Sequence, residues 1–469
     1  MPAEGENVII AANANLNTVA NVAKIRINGT ATLTLNDGAE LTVTGTITQL
    51  YDSYTYSSGK LVINDGAQLF QSNENVYATF NMNIVNPLSW SDSNKDGWQF
   101  IASPFNSSSI TNFVGLSWAP KSYDLYKYEG NAESGLEWNN HKDGNFEEAF
   151  VNGRGYLASY ETLTTATLSG NLYNKDYFEF TEVSYTEGKE LANLHLLGNP
   201  FSFDMDWSGA TFTNLVNGIA VVTSQGGWDY SQTTIPVGDG FFVQATGANA
   251  SLSYDHKDVV PATRGSEKAN SINVIASGKA GKDNVVVNFA GQAEGFNKLQ
   301  NFNDAIATVY VSENGKNYGI ANVDENTTEV ALNFDAKEMG NYTISLDVNG
   351  EFETVTLVDR FTGVETDMLV ENEYSFIASA DDNVNRFVIR LGNGQEPTDN
   401  GQFVYQNGEE LILSIEGSVQ IVDMLGRVVY SNEHSDAYNR INVSEFNDAT
   451  YVVRVVNEEG VKVQKVIIY

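Results

Sequence analysis

The chain has 469 residues, no cysteine, 42% hydrophobic residues and a formal net charge of -34. Without cysteine it forms no disulfide, no zinc–thiolate site and no thiol nucleophile. Because Lys and Arg form no cluster in this acidic chain, binding to nucleic acid or to anionic lipid is disfavoured. The length predicts about three domains.

Membrane insertion and a leader sequence are not indicated. No apolar run approaches the roughly 18 residues that a membrane-spanning helix needs. The N-terminal sequence "MPAEGENVII" has neither a basic segment nor an apolar core, so it is not a signal peptide. If the protein is exported, we expect its signal to have been removed from this sequence.

The chain as a whole reads as all-β. Short alternating runs of Val, Thr and aromatic residues are separated by Asn-Gly, Asp-Gly and Gly-Gly pairs, which is typical of strands and tight turns. The best helical candidate is a short piece from Lys298 to Ile306.

Residues 1–85 contain an internal repeat. The segment "LTLNDGAELTV" (Leu33 to Val43) recurs as "LVINDGAQLFQ" (Leu61 to Gln71). Each copy reads as a strand, an Asn-Asp-Gly turn and a second strand. Repeats of this period stack so that each copy buries the apolar face of the next. We therefore predict a short β-solenoid-like region.

Residues 86–262 contain a divergent tandem. The first copy holds "DGWQFIASPF" and "VNGRGYLASY", and the second holds "LHLLGNPFSF" and "PVGDGFFVQA". Each copy combines a strand broken by proline with a strand that begins at Gly-x-Gly-aromatic. The tandem predicts two related β-sandwich-like units.

Two further β-domains follow. The segment "PATRGSEKA" reads as a linker, after which residues 270–391 hold seven short strand patterns, the number expected of an immunoglobulin-like sandwich. A second linker, "GNGQEPTDNGQ", should be flexible and exposed. Residues 403–469 form a final small β-unit with "SVQIVDM", "RVVYS", "YVVRVV" and "VKVQKVII" as strands.

This last unit resembles a known family. The pattern is an apolar strand, Asp423, a turn with Gly426 and Arg427, a strand with Tyr451, and a closing Lys-rich strand with Lys465. It resembles the type A C-terminal sorting domain of the bacterial type IX secretion system. One departure is Ala449-Thr450, where the family often has Gly before the tyrosine strand.

The resemblance implies a small antiparallel β-sandwich with a defined role. The outer-membrane translocon would recognise this domain, and a sortase would cleave it as the cargo is released or anchored to surface polysaccharide. The localisation implied is secreted or at the outer cell surface, as for surface cargo of Bacteroidota type. The third domain resembles one that often precedes such signals.

One short stretch carries a metal-binding pattern. "SDSNKDGW" places Asp92, Asn94 and Asp96 on alternate residues before Gly97, as in the first half of an EF-hand loop. The twelfth position is Ser103 rather than Glu, which rejects an EF-hand. A simpler calcium loop and a solvated polar turn both remain as interpretations, and no cofactor is required.

Catalytic patterns are absent from the sequence. The four histidines have no partner at metal-ligand spacing, and no G-x-S-x-G elbow is present. Trp138 and Trp228 would stack on sugar rings if they were exposed, but the stronger interpretation is that aromatic residues fill the sandwich cores. The sequence predicts a non-catalytic, adhesin-like or structural surface protein. The alternatives are a secreted carbohydrate-binding protein and, more weakly, an unrecognised extracellular hydrolase.

Overall fold

A computed structural model describes residues 4–84, 97–110, 123–132, 136–144, 146–161, 165–259, 270–291, 293–392, 403–407, 409–436, 439–457 and 460–468. The chain divides into two compact units, Met1–Ser266 and Glu267–Tyr469. The described residues are almost entirely strands and turns, which confirms the all-β prediction. Their helical elements are the single 3-10 turns His141–Asp143, Leu191–Asn193, Trp207–Gly209 and His256–Asp258. None of their helices is long and apolar enough to cross a membrane.

The N-terminal repeats form parallel sheets. The strands of this region are β1 Glu6–Ile10, β2 Ala14–Leu16, β3 Ala20–Ile27, β4 Thr32–Leu35, β5 Glu40–Val43, β6 Ile47–Gln49, β7 Tyr51–Asp52, β8 Ser57–Ser58, β9 Lys60–Asn64, β10 Gln68–Phe70 and β11 Tyr77–Asn83. One sheet has the order β1-β3-β5-β10, and β4 and β9 are neighbours in the other. Leu33 pairs with Leu61 and Glu40 with Gln68, so equivalent positions of the two repeats lie side by side. Fully buried Leu35, Ile63 and Leu69 fill the space between the sheets.

A ladder of asparagine side chains joins successive repeats. The Asn64 amide donates to the Asn36 Oδ1 at 2.9 Å, and the Asn36 amide donates to the Asn17 Oδ1 at 2.6 Å. The Asn81 amide adds a further step by donating to the Asn64 Oδ1 at 2.9 Å. Asn36 and Asn64, the two inner members, therefore each donate one hydrogen bond and accept another. The backbone groups of the neighbouring strands are paired in the same way.

The tandem region follows with short antiparallel strands. They are β12 Gln99–Ile101, β13 Ser108–Ser109, β14 Tyr123–Tyr128, β15 Trp138–Asn140, β16 Ala149–Phe150, β17 Tyr156–Tyr160, β18 Thr165–Asn171, β19 Tyr177–Phe180, β20 Leu194–Gly198, β21 Met205–Asp206, β22 Ala210–Thr213, β23 Val221–Val222, β24 Trp228–Asp229, β25 Thr234–Ile235, β26 Gly240–Gln244 and β27 Ser251–Asp255. Strand β18 pairs antiparallel with β11, so the tandem and the repeats belong to one unit.

The two copies of the tandem contact each other reciprocally. The Gly198 N–H of the second copy donates to the Gly153 carbonyl of the first, and the Ala102 N–H of the first donates to the Gly238 carbonyl of the second. A Cβ on Gly153 would lie 2.4 Å from the Phe178 ring, and one on Gly238 would lie 2.4 Å from the Phe80 ring. The Gly-x-Gly motif is therefore needed for close packing in both copies.

Residues 270–392 form one continuous hydrogen-bonded path of strands. They are β28 Ser271–Gly278, β29 Gly281–Asn288, β30 Phe296–Asn297, β31 Thr308–Glu313, β32 Lys316–Asn322, β33 Glu329–Asp335, β34 Gly340–Asn349, β35 Thr354–Asp359, β36 Val364–Asp367, β37 Glu373–Ala378 and β38 Phe387–Gly392. The order is β36-β35-β38-β33-β31-β32-β29-β28-β34-β37, with β30 paired to β32. All seven predicted strands are present, and the immunoglobulin-like arrangement stays a prediction.

The helix predicted from Lys298 to Ile306 is wrong. This segment is an irregular loop between β30 and β31. The Lys298 ammonium is buried and lies 2.8 Å from the Asp283 carboxylate. Its backbone N–H donates to the Asn317 carbonyl. Contacts with distant parts of the chain thus fix this segment and override its weak helical periodicity.

The C-terminal domain is a two-sheet β-structure. Its strands are β39 Val404–Asn407, β40 Glu410–Leu413, β41 Gly417–Asp423, β42 Val428–Ser435, β43 Asn439–Asn442, β44 Ala449–Asn457 and β45 Gly460–Ile468. The sheets have the orders β39-β40-β43 and β42-β41-β44-β45. Leu411, Val419, Ile421 and Val453 are fully buried in a core of its own. Gln464 joins the sheets, because its Oε1 accepts the Phe403 N–H at 2.6 Å.

Candidate functional sites

The Gly-Arg turn of the C-terminal domain is built around one carboxylate. Asp423 closes β41, and its Oδ1 accepts the backbone N–H groups of Leu425 and Arg427, both at 2.9 Å. Its Oδ2 accepts the Arg427 Nε at 2.7 Å. These contacts, led by the Arg427 backbone N–H, lower the pKa of Asp423 below its ordinary value. Gly426 supplies the left-handed backbone that the turn needs, with φ at 83°.

The other two residues of the sorting pattern are not part of this turn. Tyr451 pairs with Asp423 across β41 and β44, but its ring is buried and its hydroxyl donates to the Asn447 carbonyl at 3.0 Å. Lys465 is exposed on β45 opposite Val452. Asp423, Gly426 and Arg427 thus form one surface feature, Tyr451 supports the core, and Lys465 belongs to the outer sheet face.

The sheet that carries the Gly-Arg turn exposes several apolar and basic side chains. The exposed apolar side chains of the sheet β42-β41-β44-β45 and of its Gly-Arg turn are Met424, Leu425, Val428, Val429, Val461, Val463 and Ile467. Exposed Arg454 and Lys465 lie on the same sheet, on β44 and β45. Exposed Glu433 on β42 adds an acidic group to the same sheet, so its exposed surface is apolar with charges of both signs.

A second candidate site is an acidic cleft in the N-terminal unit. It has a volume of about 490 Å³, and its lining includes four carboxylates and one tryptophan: Asp37, Asp65, Asp204, Asp239 and Trp98. The first two come from the two Asn-Asp-Gly turns, and the next two come from the second copy of the tandem. A Cβ on Gly66 would lie 2.0 Å from the Asp37 Oδ1. The turn glycine therefore lets neighbouring repeats bring their acidic side chains together.

Three of these carboxyl groups have raised pKa values. Burial raises the pKa of Asp239 well above its ordinary value, and the charges of Asp65 and Asp204 raise it further. Burial also raises the pKa of Asp65 and of Asp204, although backbone N–H groups of Asn83 and Val237 act in the opposite direction. Such groups can hold a proton at higher pH than an ordinary aspartate. The sequence pattern gave no signal for this cluster, because its members come from distant segments.

The two predicted sugar-binding tryptophans lie in one aromatic cluster. Trp228 is only 4% exposed and contacts the rings of Phe100 and Phe242. Trp138 is half-buried and meets the rings of Tyr128 and Phe242 edge to face. Trp228 therefore packs in a core, the stronger of the two interpretations drawn from the sequence. Sugar binding through this pair stays a prediction.

One predicted site is the calcium loop. Asp92, Asn94 and Asp96 lie outside the described residues, so the calcium loop stays a prediction. Within the described ranges, no group of three or more His, Asp or Glu side chains is arranged to hold a metal ion.

The histidines of the N-terminal unit have structural contacts. His141 Nδ1 lies 2.9 Å from the Tyr123 hydroxyl. His195 Nε2 lies 2.8 Å from the Ser184 carbonyl, and the ring of His256 packs at 4.7 Å from that of Phe203. Burial lowers the pKa of both His141 and His195. His141 and His195 are thus held by hydrogen bonds, and the His256 ring is held by packing.

Comparison with known proteins identifies the C-terminal domain. Residues 400–469 match the family model described as secretion system C-terminal sorting domain. No curated protein matches the chain. The match of residues 400–469 shows that the chain carries a type IX sorting domain. The chain is therefore a cargo protein of that system, secreted or displayed at the cell surface. The resemblance drawn from Asp423, Gly426, Arg427, Tyr451 and Lys465 is confirmed at the level of the family.

Proposed function

We propose that this cargo is a non-catalytic, adhesin-like or structural protein of the outer cell surface. The main support for the proposal is the sorting domain, because it directs the chain to the outside of the cell. There a β-rich protein can act by contact alone, without a cofactor or a catalytic site. The domain has its own core, Gly-Arg turn and exposed face. It can therefore be recognised by the secretion machinery without any part of the N-terminal unit.

The N-terminal unit supports an adhesive or structural role. Its parallel repeats are held by strand ladders and by the asparagine ladder, a construction that gives a rigid, extended surface. The described histidines of this unit are engaged in packing or hydrogen bonding. Its net acidity favours a surface that stays dispersed in water.

The proposal is tested by deletion and by an adhesion assay. Removing residues 403–469 should leave the protein in the periplasm of its host, whereas the full chain reaches the surface. Cells without the protein should adhere less to their natural substrates than cells that display it. Normal surface delivery of the shortened chain would reject the sorting role. Equal adhesion of the two strains would reject the adhesive role.

The acidic cleft favours a second candidate, an extracellular hydrolase. A carboxyl group of raised pKa beside ionised carboxylates is the arrangement that general acid catalysis uses. Asp239 would hold the proton, with Asp65 and Asp204 as its charged neighbours. The purified full chain should then release reducing sugar from a panel of polysaccharides, and Asp239→Asn should abolish the release. The absence of product from the wild-type chain would reject this candidate.

A further inference from the structure

A hairpin of the N-terminal unit exposes three tyrosine rings. Strands β7 and β8 pair through Tyr51 and Ser58, and the connecting segment has the sequence Ser-Tyr-Thr-Tyr. Tyr51 is 61% exposed, Tyr54 94% and Tyr56 82%. Exposed apolar surface of this size on a rigid unit marks a site of interaction.

Side-chain hydrogen bonds hold the tip in one shape. The Asp52 Oδ1 accepts the backbone N–H of Tyr54 at 2.8 Å and that of Thr55 at 3.2 Å. The Thr55 and Ser57 hydroxyls lie 2.8 Å apart, and the Ser57 hydroxyl donates to the Gly29 carbonyl at 2.6 Å. The backbone that carries the rings is therefore ordered before any ligand arrives, which reduces the entropy lost on binding.

Tyr56 occupies a backbone conformation that tyrosine disfavours. Its φ is 52°, in the left-handed region. The other non-glycine residues with positive φ in the described part of the chain are all asparagine: Asn75, Asn214, Asn249 and Asn314. Asparagine tolerates this conformation because its short side chain can hydrogen-bond locally. A bulky ring at this one position points to a role for the ring other than folding.

We infer that this hairpin binds a neutral polysaccharide. The faces of the three rings carry negative π density, which attracts the polarised C–H groups on the apolar faces of sugar rings. The hydroxyls of Ser53 and Ser58 border the rings and can bond sugar hydroxyls. Asp52, whose Oδ1 is engaged in the turn, is the one ionisable acidic or basic side chain of the hairpin. The hairpin therefore offers no cation to an anionic polymer.

The size of the site favours a glycan over a folded protein. Three tyrosines with these exposures offer at most about 500 Å², whereas a stable protein–protein interface takes about 800 Å² from each partner. A few sugar rings on a repeating polymer fit this area, and repetition along the polymer compensates for weak single contacts. The inference rests on the proposed adhesive function and names the ligand class of its contact site.

The test measures binding of the purified full chain to insoluble neutral polysaccharides, namely cellulose, xylan, mannan and curdlan, with alginate as the anionic comparison. Tyr56→Asn keeps a residue suited to the left-handed backbone and removes the ring, and Tyr54→Ala removes the neighbouring ring. We expect the double variant to lose at least tenfold in affinity, with a melting temperature equal to or above that of the wild type. Tyr177→Ala, which removes an exposed tyrosine elsewhere in the same unit, should bind as the wild type does.

Three outcomes would overturn the inference. They are no binding of the wild type to any neutral polymer of the panel, binding to alginate alone, and equal binding by the double variant. A marked fall in the melting temperature of Tyr56→Asn would also count against it, because the ring would then serve the fold. If the double variant binds polysaccharide normally while cells still adhere through the protein, the inference about the hairpin is wrong and the proposed adhesive function is unaffected.

Discussion

The guanidinium of Arg386 and the carboxylate of Asp359 form a two-point ion pair inside the second unit. The Nε–Oδ1 distance is 2.9 Å and the Nη2–Oδ2 distance is 2.7 Å. The Tyr374 hydroxyl also donates to the Asp359 Oδ2 at 2.9 Å, and the Arg386 Nη1 donates to the Ile377 carbonyl. Rings of Phe361, Phe376 and Phe387 lie within 5.2 Å of the guanidinium. The pair is thus both hydrogen-bonded and shielded from water.

Removing one partner of this pair should destabilise the unit strongly. Asp359→Asn removes the two-point counter-ion of the buried Arg386 charge and leaves only the longer 3.7 Å contact with Asp382, so the loss should reach about 3 kcal/mol. Urea-induced unfolding of the full chain measures the loss. Arg390→Gln is the matched control. Arg390 lies on β38, is partly exposed and pairs with Glu365 and Glu329, so its loss should change stability by about 1 kcal/mol or less. Equal effects of the two variants would contradict the prediction.

The same pair should make stability depend on acidity. Although burial opposes it, the hydrogen bonds and charge of Arg386 lower the pKa of Asp359 below its unfolded value. A lowered acid pKa stabilises the folded state at pH values above the unfolded pKa, about 3.9 for aspartate, and this contribution is lost as the pH falls through the folded value. The stability difference between wild type and Asp359→Asn should therefore shrink below about pH 4. A difference that is constant between neutral and acid pH would exclude this coupling.

Local sequence patterns predicted much of the fold. Alternation helped to place the seven strands of the third domain, since strands such as β34 bury every second side chain. The prediction missed β28, β30, β32 and β36. Strand β32 begins with the polar residues Lys316 and Asn317, contains Gly319, and is held by its neighbours on both sides. The Asn-Asp-Gly turns were also predictable, since their residues suit the required backbone.

The sites depended on contacts that no local pattern contains. Asp37 and Asp65 meet across two repeats, and Asp204 and Asp239 reach the same cleft from the tandem. The sequence left the exposure of Trp228 open, because composition does not say which rings pack against Phe100 and Phe242. The sorting pattern is the exception, since Asp423, Gly426 and Arg427 are close in the sequence and build their turn locally.

An asparagine inside the ladder should contribute more to the stability of the fold than one at its end. Asn64 both donates to Asn36 and accepts from Asn81, whereas Asn17 at the end of the ladder only accepts. Asn64→Ala should cost about 1–3 kcal/mol because it removes two hydrogen bonds, those that the Asn36 Oδ1 accepts and the Asn81 amide donates. Asn17→Ala, which removes one, should cost about 1 kcal/mol or less. Thermal unfolding followed by circular dichroism compares the two. A larger effect at Asn17 than at Asn64 would refute this order.

The Gly-Arg turn should link local backbone shape to export. No neighbouring atom lies within 4 Å of a Cβ built on Gly426, so a substitution there is opposed by its φ of 83° rather than by a clash. Gly426→Val should cost about 1–2 kcal/mol and impair surface delivery, whereas Gly426→Asn should be tolerated in both respects. Surface labelling of host cells and thermal unfolding of the purified chains measure the two effects. Normal delivery of a destabilised Gly426→Val chain would show that the machinery does not depend on the shape of this turn.

Neutralising the acidic cleft should stabilise the N-terminal unit. Burial, with the charges of Asp65 and Asp204, raises the pKa of Asp239, so ionisation of this group opposes folding. A raised acid pKa makes the folded state relatively more stable below the unfolded pKa and less stable as the pH rises through the folded value. Asp239→Asn should therefore melt at a higher temperature than the wild type at neutral pH, and the two melting temperatures should converge below about pH 4.

Asp143→Asn, which changes an exposed carboxylate of the same unit, serves as the control and should melt as the wild type does. A lower melting temperature for Asp239→Asn at neutral pH would mean that the ionised carboxylate stabilises the fold, which would contradict the repulsion inferred for the cleft.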